Sequence, residues 1–216
     1  MAPAALVTAS SAGLGAATAR TFATAGYRVV INYSNDSSRA ASLLAELEKT
    51  SPLPRPELDS VSNFLSIKAD LSNKTDVERL VSEAVAGAGR LDVVFSNGGW
   101  TSITDFSDLD DNVDEEMWDK CWNMNAYSVT KAAQIHLVKS LATMVGPKIR
   151  VNSVSPGLLL TDWGLKFSQE KLDASQAKTQ LKRFATVEDV AEQVLCFARS
   201  KSVTGANAII DAGWSL

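Results

Sequence analysis

The regular alternation of short β-branched runs with longer helical stretches is the feature that most constrains the fold of this chain. Amphipathic spacing of apolar residues predicts helices over 75–86 and 187–199. Strands that alternate with helices are typical of a parallel sheet covered on both faces. The sequence therefore predicts an α/β, doubly wound parallel sheet of six strands, which begin near Ala4, Tyr27, Phe64, Leu91, Ile149 and Asn207.

The length of the chain supports one such sheet and little else. With 216 residues and 23.1 kDa, the chain can build one α/β domain with a proper core, so we expect a single domain over 1–216. Three prolines between residues 51 and 61 predict an extended surface loop rather than a linker between domains. Gly87 and Gly89 are interpreted as stop signals after the helix over 75–86.

Charge and cysteine content exclude several classes of function. A net charge of -4 and a pI near 5.1 provide no basic surface for nucleic acid. Two cysteines, Cys121 and Cys196, cannot form a disulfide framework, and no apolar run is long enough to cross a bilayer. We therefore expect a cytoplasmic protein that contacts neither nucleic acid nor membrane. The acidic run over 105–116 is interpreted as a solvated helix start, so no metal site is predicted.

The first chemical signal is the segment "TASSAGLG", Thr8–Gly15, directly after the first strand. Here a strand turns into a helix, so backbone N–H groups and the helix dipole can meet a phosphate. Alone, such a turn is equally explained as a device that lets a helix pack close to a strand.

Four further motifs follow in order, and together they carry a resemblance to a known family. They are "KADL" at the end of the third strand, "SNGG" after the fourth, Tyr127 with Lys131 four residues later, and "PGLLLT" after the next strand. With the glycine turn, they resemble the motifs of the short-chain dehydrogenase/reductase family almost from end to end. The turn departs from the family pattern at Ala9, where the family has a glycine. A Cβ at that position would be strained if the turn needs a positive φ.

The resemblance implies a Rossmann-like dinucleotide-binding domain and an oxidoreductase that transfers hydride between NADPH and a small-molecule carbonyl or secondary alcohol. Tyr127 would be the acid/base. Because a free tyrosine has a pKa near 10, the ammonium of Lys131 one helical turn away would favour tyrosinate. The alternative is that the two side chains merely share a solvated helix face. The implied cofactor-binding residues are Ser10, Gly13, Leu14, Gly15, Asp70, Leu71, Asn97, Gly98, Lys131, Pro156, Gly157 and Thr161.

The end of the second strand favours NADP over NAD. NAD-specific folds usually present an acidic side chain there to the ribose 2′-OH, whereas this chain has Asn32, Tyr33 and Ser34. Ser34 and Arg39 could hydrogen-bond a 2′-phosphate, so both are predicted to bind the cofactor. Because Asp36 is close, NAD stays as the alternative.

One block of the family pattern is absent. In the family an asparagine anchors a water relay, and then a strand with a catalytic serine precedes the tyrosine. Here Asn125, the matching catalytic candidate, stands two residues before Tyr127, so on the order of 30 residues are missing together with the serine. Residues 113–145 are predicted to form one helix, on which these two side chains point about 200° apart.

The loss leaves two arrangements of the sheet and more than one function. We expect the strand near Ile149 to move in beside the strand near Leu91, which would bring Ser153 or Ser155 close to the lost serine; the alternative is a gap in the sheet. An active oxidoreductase is the first functional hypothesis, and a cofactor-binding but catalytically impaired or truncated form is the second. The resemblance also implies homo-oligomers, since family members commonly pair through the two helices that are fused here.

Overall fold

A computed structural model describes residues 2–54, 61–99 and 131–216 of the chain. Its strands are β1 (Ala4–Val7), β2 (Arg28–Tyr33), β3 (Phe64–Lys68), β4 (Val93–Phe95), β5 (Ser153–Pro156) and β6 (Asn207–Ile210). Its helices are α1 (Gly13–Thr24), α2 (Ser37–Thr50), α3 (Lys74–Ala88), α4 over 131–145, α5 (Gln169–Lys178) and α6 (Val187–Arg199), with a short 3-10 turn at Gly164–Lys166.

Four strands form a parallel sheet in the order β3-β2-β1-β4. In its register Val7 lies beside Ile31 on one side and beside Phe95 on the other. The carboxyl ends of β1, β2 and β4 are therefore level. The segments that follow these strands emerge at one edge of the sheet, where ligands bind in open α/β folds.

Alternate residues of β1 pack into two separate hydrophobic cores, one on each face of the sheet. Ala5 and Val7 pack with residues of α1, α2 and α6 such as Phe22, Leu47 and Leu195, whereas Ala4 and Leu6 pack with α3 residues such as Leu80 and Ala84. Side chains of a strand point alternately to opposite faces, so a strand that is apolar throughout must be covered twice. The prediction of a doubly wound α/β sheet with helices on both faces is confirmed.

The helix termini follow their local sequence signals. Asn73 caps α3 by accepting the N–H groups of Thr75 and Asp76, and Gly89 ends that helix with a φ of +72°. The prediction that Gly87 also stops the helix is wrong, because Gly87 lies inside α3, where a Cβ would displace the end of the Leu65 side chain. Close approach to β3, rather than helix termination, explains this glycine.

Helix α6 spans the predicted residues and begins with a capping box. The hydroxyl oxygen of Thr186 accepts the N–H of Asp189 at 3.1 Å, and the Asp189 carboxylate accepts the N–H of Thr186 at 3.0 Å. Two N–H groups at the helix start thereby gain partners, which is the purpose of this motif.

The six-stranded sheet with β5 beside β4 is wrong for the described residues. There β4 pairs with β1, whereas β5 pairs with β6 in a separate two-stranded sheet. The N–H of Ser153 donates to the carbonyl of Ala206 and that of Gly157 to Ile210, so β5 satisfies its backbone on β6. Ser153 and Ser155 are consequently not carried in on a strand paired with β4.

The chain divides into two compact units. The first comprises Met1–Gly98, Val154–Lys201 and Ile209–Leu216, and the second comprises Gly99–Ser153 and Ser202–Ala208. Of the helix predicted over 113–145, residues 131–145 are helical and the remainder lies outside the described residues. None of the described helices has the length and apolar character that crossing a bilayer requires.

Candidate functional site

The turn from β1 into α1 has an unusual backbone and an open helix start. Ala9 has a φ of +47° and Gly13 one of +54°, so both lie in the left-handed region. The N-cap residue of α1, Ala12, makes no side-chain cap, and the first turn of the helix carries no acidic residue. The N–H groups and the positive end of the helix dipole are therefore suited to an anion.

Gly15 is required by its neighbours. A Cβ at Gly15 would lie 2.6 Å from the carbonyl oxygen of Ala9 and 2.8 Å from Nδ2 of Asn97. Both distances are below what real Cβ atoms show, so no other residue fits without displacing backbone. The turn, the helix start and the segment after β4 meet at this glycine.

Asn97 and Thr8 connect the turn after β1 with the segment after β4. Nδ2 of Asn97 donates to the carbonyls of Thr8 at 3.2 Å and Ala9 at 3.1 Å, while the Thr8 hydroxyl accepts the N–H groups of Asn97 at 3.0 Å and Gly98 at 3.3 Å. Leu71 lies over Gly98, at the position a Cβ would take. The structure thus brings together predicted residues from three loops.

The buried side chains of Ser10 and Asn32 fix the turn after β1 by hydrogen bonds to its backbone. The fully buried Ser10 hydroxyl donates to the carbonyl of Val7 at 2.7 Å and accepts the N–H of Asn32 at 3.0 Å. Oδ1 of Asn32 accepts the N–H of Ala9 at 3.0 Å, and Nδ2 donates to the carbonyl of Ala69 at 3.1 Å. Ser10 is therefore engaged in shaping the turn with its hydroxyl inside the protein.

The "PGLLLT" segment contacts the turn between β1 and α1 through Thr161. The methyl carbon of Thr161 would lie 3.2 Å from a Cβ on Gly13. The segment starts at Pro156 at the end of β5, where the N–H of Gly157 donates to Ile210 at 3.0 Å. Thr161 and Gly13, predicted from separate motifs, are neighbours.

Arg39 lies in a charged group formed by residues that follow β2 and by Asp162 from the loop after β5. Its Nε lies 3.2 Å from the carboxylate of Asp36, and its Nη1 lies 2.9 Å from that of Asp162. The N–H of Arg39 and the hydroxyl of Ser38 donate to Asp36, which together lower the pKa of that carboxyl. Ser34 lies exposed just beyond the end of β2.

Asp70 is occupied by its own loop. Its carboxylate accepts the Ser72 hydroxyl at 2.7 Å and the Ser72 N–H at 2.9 Å, and these bonds lower the pKa of Asp70. Its N–H donates to Asp76 at 2.8 Å. The loop that follows β3 is thereby fixed, with Asp70 exposed next to Leu71.

Of the predicted catalytic residues, only Lys131 lies within the described part of the chain. Its Nζ donates to Oε1 of Gln134 at 3.0 Å in α4. Asn125 and Tyr127 lie outside the described residues. The hydroxyl of Ser153, considered above as a substitute for the lost serine, donates to Oδ1 of Asn207 at 3.0 Å.

Sequence reasoning missed Thr8, Asn32 and Asp162 as members of this site. Thr8 could have been found from the sequence, because it is the first residue of the glycine motif. In the structure its hydroxyl accepts two N–H groups. Asp162 directly follows the predicted Thr161. Asn32 was noted only for lacking a carboxylate, whereas its burial gives it a structural part. Within residues 2–54, 61–99 and 131–216, no cluster of three metal-ligating side chains occurs.

Comparison with protein families gives two matches that together cover most of the chain. A model described as short chain dehydrogenase matches residues 3–126, and a model described as Enoyl-(Acyl carrier protein) reductase matches residues 119–215. The two matches overlap at 119–126.

Individual proteins are similar over nearly the whole chain. A relative from Streptomyces violaceoruber, named as ketoacyl reductase 2 of the granaticin polyketide synthase, is 32% identical over 98% of this chain and 96% of its own length. The L-rhamnose 1-dehydrogenase (NAD(P)(+)) of a Sphingomonas species is 28% identical over 96% and 94%. A solved short chain dehydrogenase from Burkholderia cenocepacia in complex with NADP is 25% identical, with a TM-score of 0.81 over 99% and 98%.

The alignments also show that the chain is short. The alignment with the Streptomyces relative extends over 253 positions, whereas the chain has 216 residues. The difference between these lengths, 253 less 216, leaves at least 37 positions of the alignment without a residue of this chain. This number is of the same order as the roughly 30 residues that the spacing of Asn125 and Tyr127 predicts to be missing.

Proposed function

The chain belongs to the short-chain dehydrogenase family, and from that premise we propose that it binds NADP(H) and transfers hydride between the cofactor and a carbonyl or secondary alcohol. The names of the relatives refer to different compounds, a ketoacyl group in one case and L-rhamnose in another. The proposal therefore stops at the class of small-molecule carbonyl or alcohol. We further propose a cytoplasmic, homo-oligomeric protein.

The observation that carries the proposal is the convergence of three loops on the start of α1. Gly15 tolerates no Cβ because Ala9 and Asn97 press against it, and Thr161 lies against Gly13. The start of α1 has no side-chain cap, so its N–H groups are available as donors. A pyrophosphate needs such donors and a backbone that it can approach closely. Leu71 beside Gly98 would supply an apolar surface for adenine.

The choice of NADP follows from the residues beyond β2. Asn32, one of the three residues at the end of β2 where NAD-specific folds usually have an acidic side chain, is buried and bonded to the backbone of β3 and the turn. It therefore presents no carboxylate to a ribose. Arg39 and Ser34 are the nearby exposed groups that suit a 2′-phosphate. A complex of the Burkholderia relative with NADP supports this choice.

The proposed chemistry assigns the proton to Tyr127 and its activation to Lys131. The bound nicotinamide supplies or receives the hydride. On reduction, the phenol of Tyr127 gives its proton to the oxygen of the carbonyl, and on oxidation the phenolate takes it back. In this assignment the ammonium of Lys131 would stabilise the phenolate. Asn125 takes the family's place in the proton relay only if the helix breaks between it and Tyr127, because on one continuous helix the two side chains would point about 200° apart.

A second candidate function is supported by the length of the chain. At least 37 aligned positions have no residue here, and the spacing places the loss before Tyr127, where the family has its catalytic serine. A protein that binds the cofactor without turnover, or a truncated form of an active relative, would keep the loops around α1 and lose the reaction.

Fluorescence titration with NADPH and NADH tests the proposal, because Trp163 and Trp214 lie in the same unit as the glycine turn. We expect NADPH to bind more tightly than NADH. Turnover of bound NADPH would then be followed at 340 nm with a panel of activated ketones, a 3-oxoacyl thioester and an aldose lactone. Loss of turnover in Tyr127→Phe, with NADPH binding retained, is the result expected of an enzyme.

The controls separate the two candidates. Tyr27→Phe removes a phenol oxygen just before the amino end of β2, the opposite end of the strand from the cofactor segment, and should leave turnover unchanged. Binding without turnover of any substrate would favour the catalytically impaired form. A folded protein that binds neither dinucleotide would refute both.

A further inference from the structure

The guanidinium of Arg39 lies between two carboxylates that differ in how firmly they are held. Asp36 is the N-cap of α2 and also accepts the N–H of Arg39 at 2.9 Å and the hydroxyl of Ser38 at 2.7 Å. Asp162 comes from the loop after β5 and its side chain is 74% exposed. Its contact with Nη1 of Arg39 joins residues 123 positions apart in the sequence.

Contacts place Asp162 between the glycine turn and the end of β2. The residue before it, Thr161, lies against Gly13, and Asp162 itself reaches Arg39. Arg39 in turn contacts Asp36, which stands three residues after the end of β2. A dinucleotide that places its pyrophosphate at α1 would direct its ribose along this line. Asp162 therefore already pairs with the guanidinium that the proposed function assigns to the 2′-phosphate.

We propose that Asp162 sets the cofactor preference of this protein by competing with the 2′-phosphate of NADPH for the guanidinium of Arg39. The inference rests on the proposed function, in which Arg39 receives that phosphate. NADPH must displace Asp162 before the phosphate can form a paired contact with the guanidinium, whereas NADH makes no such demand. The competition reduces the advantage of NADPH and brings the two dinucleotides closer in affinity.

The two carboxylates respond differently to an arriving phosphate. Asp36 holds backbone and side-chain donors of α2, so its movement would cost the helix its cap. Asp162 has no such obligation, since among the described residues Arg39 is the hydrogen-bond donor that its carboxylate contacts. The phosphate dianion, which carries more charge than a carboxylate, repels Asp162 and pairs with the freed Nη1.

The expected effect follows from the exposure of the pair. An ion pair between side chains that are 54% and 74% exposed contributes modestly, a factor of about two to five in an equilibrium constant. Asp162→Asn should therefore tighten NADPH binding by about two- to five-fold and change NADH binding by less than about 1.5-fold. The effect should shrink as ionic strength rises.

The test is a set of dissociation constants for NADPH and NADH, measured by fluorescence titration at low and high salt. Four variants are compared with the wild type: Asp162→Asn, Arg39→Gln, the double variant, and Asp173→Asn. Asp173 is an exposed carboxylate on α5, so its variant makes the same change in net charge away from Arg39. Circular dichroism confirms that each variant is folded.

Competition predicts that Asp162→Asn raises the preference for NADPH, that Asp173→Asn does not, and that the effect of Asp162→Asn disappears when Arg39 is Gln. Suppose Arg39→Gln weakens NADPH but Asp162→Asn leaves the preference unchanged or acts equally without Arg39. Then the competition is refuted and the cofactor proposal stands. If Arg39→Gln leaves NADPH binding unchanged, the assignment of Arg39 to the 2′-phosphate fails, and the competition fails with it. If the wild type binds neither dinucleotide, the proposed function itself fails.

Discussion

Replacing Ala9 with glycine should make this protein more stable. Ala9 stands where the family has the first glycine of its turn, and its φ is +47°. In the left-handed region the Cβ comes too close to the backbone, at a cost of roughly 1–2 kcal/mol for a residue with a side chain. The side chain of Ala9 is exposed, so its removal loses no buried contact.

The gain is reduced by the unfolded state. Glycine gives the unfolded chain more freedom than alanine, which offsets about 0.4–1 kcal/mol. The net increase in the free energy of unfolding should be about 0.5–1 kcal/mol. For a chain of this size, about 1 kcal/mol raises Tm by roughly 2–4 °C, so we expect a rise of about 1–4 °C.

Thermal and urea unfolding of Ala9→Gly beside Ala45→Gly would test this reasoning. Ala45 is exposed within α2, where the same substitution should lower stability by about 1 kcal/mol. The two variants should therefore shift Tm in opposite directions. A fall in Tm for Ala9→Gly comparable to that for Ala45→Gly would show that the turn stores no strain at this residue.

Four further predictions concern the turn and the helix starts. Gly15→Ala should abolish NADPH binding in fluorescence titration, because its Cβ would lie 2.6 Å from a backbone carbonyl; retained affinity would contradict the close approach. Asn97→Ala should weaken NADPH binding at least about ten-fold and lower the urea midpoint, since two carbonyls of the turn lose their donor. Thr186→Ala should cost about 1 kcal/mol in urea unfolding at pH 7. Hydrogen bonds from the N–H of Thr186 and from the side chain of Arg183 lower the pKa of Asp189 in the folded protein. The stabilisation by the Asp189 carboxylate is therefore present above its unfolded pKa near 4, and it is lost as the pH falls through the lower folded pKa. The urea midpoints of Asp189→Asn and the wild type should accordingly differ at pH 7 and converge below about pH 4.

The elements with strong periodicity were predictable from the sequence, and the irregular ones were not. Helix α6 begins and ends where its apolar stripe indicated. The strand predicted from Ile149 instead begins at Ser153, because side chains replace the ladder before it. Nδ2 of Asn152 donates to Val203 at 3.0 Å, and Oδ1 of Asn152 accepts the N–H of Ala206 at 3.1 Å. Such bonds depend on which segments are neighbours, so local propensity does not reveal them.

The candidate site divides in the same way. The resemblance of the motifs to those of the family was enough to select Gly15, Asn97 and Thr161, which the structure brings to the start of α1. The supporting contacts join distant residues, as between Ala9 and Asn32, 23 positions apart, or Arg39 and Asp162, 123 positions apart. A single sequence gives no measure of such pairs. Only the folded arrangement shows that Asn32 is committed to the interior and that Arg39 already has anionic partners.

In the proposed function, we expect cofactor binding and turnover to be separable, because the residues assigned to them fall in different units. With the exception of Lys131, the predicted cofactor residues all belong to the first unit, which holds the four-stranded sheet and both cores that cover it. Asn125, Tyr127 and Lys131 belong to the second. The two family matches overlap at 119–126, next to the point where the spacing indicates the missing block, and that point also lies in the second unit. A loss confined there leaves the contacts of Gly15, Asn97 and Thr161 intact, so dinucleotide binding should persist even in a chain whose turnover has been lost.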